Sequence, residues 1–227
     1  LEITLDFVRR AGIRVSGQAP GTLRIEGGQA YGRSAYTIDG DWSGAAFLLV
    51  AGALAGEVTV RGLDPASLQP DRAVCEALER CGAEVEISGG RVRSRRRDLR
   101  AFAMDLSVAP DLFPPLVALA SWSEGTTRLD GVDRLRHKES DRAAALQSEF
   151  GLLGAEIRLE GNAMLVRGGG LRGGTVVPHG DHRIAMALAV AGLRADADVV
   201  IEEAECVAKS YPRFFEDLAT AGGRIHE

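Results

Sequence analysis

The sequence predicts an α/β fold of about three repeated units of strands and helices, with apolar helices buried inside and sheets and amphipathic helices outside. The first observation is a periodicity: a helical pattern that ends in glycine and leads into a strand pattern recurs about every 70 residues. Glycine commonly ends a helix in this way. The recurring glycines are Gly12, Gly82, Gly154 and Gly222.

The second observation is a set of three helical segments that are apolar on almost all sides and should therefore be enclosed. They span residues 44–54, 112–120 and 184–193. The helices that end at the last three glycines instead carry charge on one side, which is typical of an outer position. Because strand patterns flank both kinds of helix, each unit is predicted to contain a strand, a buried helix, a strand, an amphipathic helix and a hairpin.

Composition limits the classes of function. Hydrophobic residues make up 45% of the chain and charged residues 26%, as in ordinary globular proteins, and the net charge of −5 argues against a nucleic-acid partner. Three cysteines without metal-ligand spacing indicate a reduced, cytoplasmic chain. No apolar segment is long enough to cross a membrane. Because the chain opens at Leu1 within a helical pattern, we expect a fragment of a longer protein.

Two segments are interpreted as joints between units. Residues 168–175 are rich in glycine, and residues 93–100 carry a run of arginines. A charge run of this kind is ordinarily a solvated edge, so the second segment is assigned no site.

Cations stand where helices are predicted to begin. A helix N-terminus has unpaired N–H groups and a partial positive charge, so each such cation costs roughly a few tenths of a kcal/mol to one. Repeating this arrangement is economical if an anion is bound where these helix ends converge. The cations are Lys138, Arg142, Arg183 and Lys209.

A structural interpretation stays open beside this one. A single cation near a helix start is ordinarily a solvated residue, and Asp141 and Asp181 would serve as helix caps or local ion-pair partners. The first unit has Asp71 and Arg72 where a later unit has an equivalent Asp-Arg pair, so that pair belongs to the repeat itself.

The pair Lys138-Glu139 is specific to one unit and is the stronger candidate for a functional role. Asp111 is a second candidate, because it opens the buried helix of its unit. It could be an N-cap, or a carboxylate that acts as a base toward a hydroxyl. Asp41 and Ser43, at the matching point of the first unit, are interpreted as caps.

Several motifs occur in order over essentially the whole chain: GDWSGAAFLLVAGAL, PDLFPPLVALA, KESDR, GDHRIAMALAV and ECVAKSYPRFFEDL. Together they resemble the C-terminal half of the 5-enolpyruvylshikimate-3-phosphate synthase family, the 3-phosphoshikimate 1-carboxyvinyltransferases. The resemblance implies a protein roughly twice this long with two similar domains. Residues 1–35 would then be the tail end of the N-terminal domain and residues 36–227 the C-terminal domain, with the break near Tyr36.

The resemblance also implies a reaction, in which phosphoenolpyruvate reacts with the 5-hydroxyl of shikimate 3-phosphate and phosphate is released, with no metal and no organic cofactor. Glu139 would exchange a proton with the methylene carbon of phosphoenolpyruvate, and Asp111 would lie at the reacting hydroxyl. Lys138 would contact shikimate 3-phosphate. The phosphoenolpyruvate clamp would consist of Arg142, Arg183 and Lys209.

Two further positions are candidate substrate contacts whose roles the resemblance leaves open. Arg134 stands where some family members have asparagine, and His182 could be an oriented structural histidine instead of a contact. The groups that would complete the site belong to the missing N-terminal domain, so this chain is expected to be inactive alone.

Three alternatives remain. The first is enolpyruvyl transfer to a UDP-amino sugar, by a family that shares the repeat architecture but not these motifs. The second is a non-catalytic anion-binding module. The third is an RNA-end-processing protein of related architecture, against which the acidic balance and the lack of aromatic stacking signals count.

Overall fold

The computed structural model describes residues 1–17, 21–32, 35, 37–136 and 138–226. Its helices are α1 Glu2–Arg10, α2 Trp42–Ala55, α3 Val74–Arg80, α4 Phe113–Ser121, α5 Arg142–Leu152, α6 His182–Gly192 and α7 Phe214–Thr220. Its strands are β1 Val15–Ser16, β2 Arg24–Ile25, β3 Glu57–Arg61, β4 Glu84–Ser88, β5 Arg91–Arg95, β6 Ala103–Asp105, β7 Thr126–Asp130, β8 Glu156–Glu160, β9 Ala163–Arg167, β10 Gly174–Val176 and β11 Val199–Ile201. Tyr36, the predicted domain boundary, lies outside the described residues.

The apolar helices α2, α4 and α6 pack against one another in the middle of the fold, as predicted. Their side chains are buried on nearly all sides; every residue of α4 is buried, including Pro114 and Pro115. Proline is tolerated there because first-turn N–H groups have no helical partner. The core extends from these helices to the inner faces of the sheets and of the amphipathic helices.

Each buried helix is covered by its own sheet. An antiparallel sheet in the order β3-β5-β4 packs on α2, and a four-stranded sheet in the order β6-β7-β9-β8 packs on α4. In the last unit the parallel pair β10 and β11 packs beside α6. The amphipathic helices α3 and α5 lie against β4 and β8, the first strands of the hairpins that follow them. The α/β fold of repeated units is therefore confirmed.

The repeated glycines mark the same turn four times. Gly12, Gly82, Gly154 and Gly222 have φ of 87°, 90°, 93° and 103°, in the left-handed region that disfavours side chains. Each stands two positions after the last residue of an amphipathic helix. The periodicity in the sequence is thus the periodicity of this helix-ending turn.

The units are less regular than the sequence predicts. The second unit has all the expected parts, from β6 to the β8–β9 hairpin. In the first unit, residues 37–41 before α2 form no strand, and in the last, residues 221–226 after α7 form none. Among the described residues, no helix is both long and apolar enough to span a bilayer.

Candidate functional site

The starts of the three buried helices meet at one end of the fold, and two of them are capped by aspartate. Asp41 accepts hydrogen bonds from the backbone N–H groups of Ser43 and Gly44 at the start of α2. Asp181 accepts one from the N–H of Arg183 at the start of α6. Asp141 caps the neighbouring helix α5. The cap roles of these three aspartates agree with the sequence prediction.

Arg142, the first residue of α5, lies at the centre of the site and is completely buried. Its Nε lies 2.9 Å from Asp181 Oδ2, its Nη1 lies 2.9 Å from Asp111 Oδ1, and its Nη2 lies 2.8 Å from Glu139 Oε2. A guanidinium removed from water needs such partners, because an unpaired buried charge is very costly. Arg142 therefore joins three carboxylates from three separate segments.

Asp111 is the carboxylate with the most cationic partners. Besides Arg142, it contacts Lys138 Nζ at 3.1 Å through Oδ1 and Arg183 Nη2 at 3.4 Å through Oδ2. Burial raises its pKa, but Arg183, Lys138 and Arg142 outweigh that effect and hold the pKa below its ordinary value.

The interpretation of Asp111 as an N-cap is wrong. Asp111 lies inside a short 3₁₀ turn, Pro110–Leu112, and neither that turn nor α4 has a side-chain cap. The 3₁₀ turn places Asp111 two residues before the start of α4, and its carboxylate contacts the cations and not the N–H groups of α4.

Glu139 lies between two of the cations predicted to bind phosphoenolpyruvate. Its Oε2 contacts Arg142, and its Oε1 lies 3.5 Å from Lys209 Nζ. Burial and the nearby Asp181 raise its pKa, whereas its own backbone N–H, Arg142 and Lys209 lower it; the net pKa is below the ordinary value. The structure thus brings Asp111, Glu139 and all four predicted cations into one cluster.

The position of Lys209 differs from the prediction. It is the last residue of a 3₁₀ helix, Ala204–Lys209, and lies five residues before the start of α7. It is therefore not at the positive end of a helix. The sequence predicted that the segment before Pro212 leads directly into one helix. In the structure the chain instead forms a 3₁₀ helix and then turns at residues 210–213 before α7 begins.

The two residues whose roles the sequence left open, His182 and Arg134, lie in different surroundings. His182, the first residue of α6, is buried, and its Nδ1 has no hydrogen-bond partner within the described ranges. Burial, assisted by Arg183, lowers its pKa, so the ring is neutral near pH 7. Arg134 is an exposed residue of the 3₁₀ turn Val132–Leu135, and its side chain bonds to no residue that the structure describes. His182 joins the cluster, and Arg134 does not.

Two further carboxylates, Asp181 and Asp71, make buried contacts in this region. Asp181, interpreted from the sequence as a cap or a local ion-pair partner, is both: it caps α6, it is a buried partner of Arg142, and it accepts a hydrogen bond from Ser140 Oγ at 3.3 Å. Asp71 is buried and accepts a hydrogen bond from Ser43 Oγ, so Ser43 is not a cap. Burial raises the pKa of Asp71, and the nearby Asp111 adds to the rise. The repeat could have pointed to Asp71, because it occupies the position of Asp141 one unit earlier.

Across the described part of the chain, no group of three or more His, Cys, Asp or Glu side chains is arranged to hold a metal ion. The cluster around Arg142 alternates cations with carboxylates, and these cations would repel a metal.

This fold and cluster define a class: a repeated α/β domain whose buried helices begin at a set of cations suited to an anionic molecule. The chain belongs to the EPSP synthase (3-phosphoshikimate 1-carboxyvinyltransferase) family, whose model matches residues 1–218.

Known proteins support this assignment. The chain is 42% identical over 226 residues to the 3-phosphoshikimate 1-carboxyvinyltransferase of Aeropyrum pernix, covering 99% of this chain and 52% of that protein. It is 42% identical over 228 residues to the Clostridium kluyveri enzyme of the same name, covering 54% of it. A solved EPSP synthase from Acinetobacter baumannii matches 98% of this chain and 55% of its own with a TM-score of 0.85 and 29% identity. The chain thus spans about half the length of the curated relatives it matches.

Proposed function

We propose that the full-length protein containing this chain transfers the enolpyruvyl group of phosphoenolpyruvate to the 5-hydroxyl of shikimate 3-phosphate and releases phosphate. The observation that carries the proposal is the meeting of Asp111, Glu139 and four cations at one end of the fold. Both substrates are polyanions, and fixed cations stabilise charge that develops on a carboxylate and on a leaving phosphate. The names of the relatives point to the same reaction.

The two carboxylates outside the helix caps supply the proton transfers. As the 5-hydroxyl oxygen bonds to C2 of phosphoenolpyruvate, Asp111 takes the hydroxyl proton and the C2–C3 double bond takes a proton from Glu139 at C3. The resulting adduct then loses phosphate, and Glu139 removes one proton from the new methyl group to restore the double bond. Neither step needs an oxidant, a metal or an organic cofactor.

Substrate anions would compete with these carboxylates for the same cations. Arg142 has no exposed surface, and its three nitrogens all contact carboxylates. A substrate carboxylate or phosphate can therefore reach Arg142 only by displacing Glu139 or Asp111. Displacement from Arg142 and Lys209 removes the cations that keep the pKa of Glu139 low, while burial and Asp181 continue to raise it. Binding of phosphoenolpyruvate would thus favour protonated Glu139, the form that the first step requires.

This coupling predicts proton uptake on binding. In calorimetric titrations of the full-length protein with phosphoenolpyruvate near pH 6, in two buffers of different ionisation enthalpy, the wild type is expected to take up more protons than Glu139→Gln. The variant corrects for protonation changes of the phosphate itself. Equal proton uptake by both proteins would refute the displacement of Glu139.

The cationic clamp predicts a loss of binding in Arg183→Ala. Because Arg183 is largely buried and contacts Asp111, its guanidinium is held in place for an anion. We expect phosphoenolpyruvate to bind about tenfold more weakly or worse, as for a lost charge-assisted hydrogen bond. Arg158→Ala is the matched control, since this exposed arginine on β8 pairs with Glu156 at a distance from the cluster. Unchanged affinity in Arg183→Ala would remove it from the site.

The other half of the site is proposed to come from the missing N-terminal domain of the same protein. Residues 1–35 would belong to that domain and residues 36–227 to the C-terminal domain. The purified chain alone is therefore expected to form no product in an assay of phosphate release. Measurable turnover by the chain would contradict this assignment.

We further propose a cytoplasmic location and no nucleic-acid or membrane partner. Support comes from the net charge of −5 and from three free cysteines, of which Cys75 and Cys81 are buried with pKa values raised by that burial to about 11. Such thiols are inert as nucleophiles or metal ligands.

A further inference from the structure

A concave surface lies at the end of the buried helices opposite the candidate functional site. This cleft has a volume of about 1200 Å³, and the residues that end two of these helices, Gly56 after α2 and Trp122 after α4, line it together with Arg194, which follows α6. The candidate functional site is at the starts of the same helices. Since α2 has 14 residues, the two sites are about 20 Å apart.

Arginines dominate the lining of this cleft. They are Arg95, Arg96, Arg97, Arg100 and Arg194. Cations are favoured near helix C-termini, where the helix dipole is negative, so some of them stabilise the fold. The helix dipole does not explain why some of these arginines have carboxylate partners and others have none.

Two of the five arginines have carboxylate partners. Arg95 lies 3.7 Å from Glu57, and Arg97 contacts Glu84. Arg96, Arg100 and Arg194 have no carboxylate within ion-pair distance among the residues that the structure describes, although Asp98 and Glu124 line the same cleft. The fold thus pairs arginines with glutamates along the neighbouring strands and leaves three cations of this cleft without such partners.

Arg194 is held in place by an aromatic ring. Its guanidinium carbon lies 4.6 Å from the ring centroid of Trp122, whose indole N–H donates a hydrogen bond to the carbonyl of Ala191 at 3.0 Å. Gly170 permits a close approach to the same ring, because a Cβ there would lie 2.9 Å from Trp122 Cζ3. Burial and the charge of Arg96 lower the pKa of Arg194, so the two guanidinium groups repel each other across the cleft. A bound anion would relieve that repulsion.

We propose that this cleft binds a small polyanion through Arg96, Arg100 and Arg194. Guanidinium groups recognise phosphate and carboxylate oxygens alike, often with two hydrogen bonds each. Three such groups, two on the loop that follows β5 and one just after α6, suit a molecule with at least two anionic groups. The proposal does not depend on the reaction at the other end of the helices.

Titration of the full-length protein with pyrophosphate and with citrate at low ionic strength tests this proposal, and low salt is needed because exposed charges are screened. Pyrophosphate is expected to bind saturably, and Arg96→Gln/Arg194→Gln to weaken that binding about tenfold or more. The comparison of the two probes shows whether phosphate or carboxylate oxygens are preferred. Arg95→Gln/Arg97→Gln is the matched control, because it removes two arginines of the same cleft that already have partners, and it should change the affinity little.

Three results would overturn the proposal: no saturable binding of either probe, equal weakening by both double variants, or binding that Arg183→Ala abolishes and Arg96→Gln/Arg194→Gln leaves intact. The last result would assign the probe to the candidate functional site. Since turnover does not involve this cleft, Arg96→Gln/Arg194→Gln should keep the enzymatic activity of the wild type, which also shows that the variant is folded.

Discussion

Replacement of Asp181 by asparagine is expected to lower the free energy of unfolding of the full-length protein by about 3 kcal/mol, because a buried charge that loses a carboxylate partner typically costs that much or more. Asp181 and Arg142 are both completely buried and lie 2.9 Å apart. Asparagine is as good a helix cap as aspartate, so the substitution keeps the cap of α6 and removes the charge. Denaturation by urea, followed by circular dichroism, measures the difference.

Asp141→Asn is the matched control. Asp141 caps α5 as Asp181 caps α6, with a hydrogen bond to the N–H of Ala144, but it is exposed and has no contact with Arg142. Its replacement should change the free energy of unfolding by less than about 0.5 kcal/mol. If the two variants lose the same stability, the Arg142 cluster is not the main support of this end of the fold.

Replacement of Glu139 by glutamine is expected to lower the turnover number of the full-length protein about 10²- to 10⁴-fold, the usual contribution of a general acid or base. Glutamine keeps the size and one oxygen that can accept a hydrogen bond from Arg142 or from Lys209, but it has no acidic proton to exchange with carbon. Affinity for phosphoenolpyruvate should therefore change far less than turnover. Steady-state kinetics, together with calorimetric binding, separates the two effects.

Glu160→Gln provides the comparison for that experiment, because Glu160 is exposed at the end of β8 and belongs to a sheet, not to the cluster. It should leave both turnover and binding unchanged. A wild-type turnover number in Glu139→Gln would exclude Glu139 from the chemistry. A loss of binding as large as the loss of turnover would make Glu139 a structural partner of Arg142 only.

The sequence predicted the architecture well because its signals are local and repeated. The turn at Gly82 or Gly154 needs a left-handed backbone, which favours glycine, so the glycine in the sequence marks the position of the turn. Because α4 is apolar on all sides, its sequence alone predicts that it is enclosed, without knowledge of the elements that pack on it. The strands of the second unit follow from the same patterns.

The contacts of the site could be predicted only in part. Placing Lys138, Glu139 and Arg142 together needs no more than their spacing at the start of α5. Arg142 is also buried against carboxylates from two other segments, Asp111 and Asp181. This contact depends on how α4, α5 and α6 pack, and no local sequence pattern predicts that packing. For the same reason the sequence left an N-cap open as one of two interpretations of Asp111, whereas its carboxylate contacts three cations.

The arginine run at residues 93–100 was interpreted as a solvated joint without a site. Its first residues are in fact the end of β5, the central strand of its sheet. Whether an arginine there has a partner depends on the neighbouring strand: Arg93 and Arg95 meet Glu57 on β3, whereas Arg96 follows the end of the strand and faces the cleft. A charge count along the sequence cannot separate these positions.

The most direct test of the central claim is the fate of hydrogen at the methylene carbon of phosphoenolpyruvate. If Glu139 delivers a proton to that carbon and later removes one from the methyl group, turnover of both substrates by the full-length protein in D₂O must place deuterium on the methylene group of the product. We predict such incorporation, detected by NMR or mass spectrometry, at the same rate for the wild type and for Glu160→Gln, and at a rate about 10²- to 10⁴-fold lower for Glu139→Gln. Product without deuterium from the wild type, or an equal rate of deuterium incorporation by Glu139→Gln, would contradict the account.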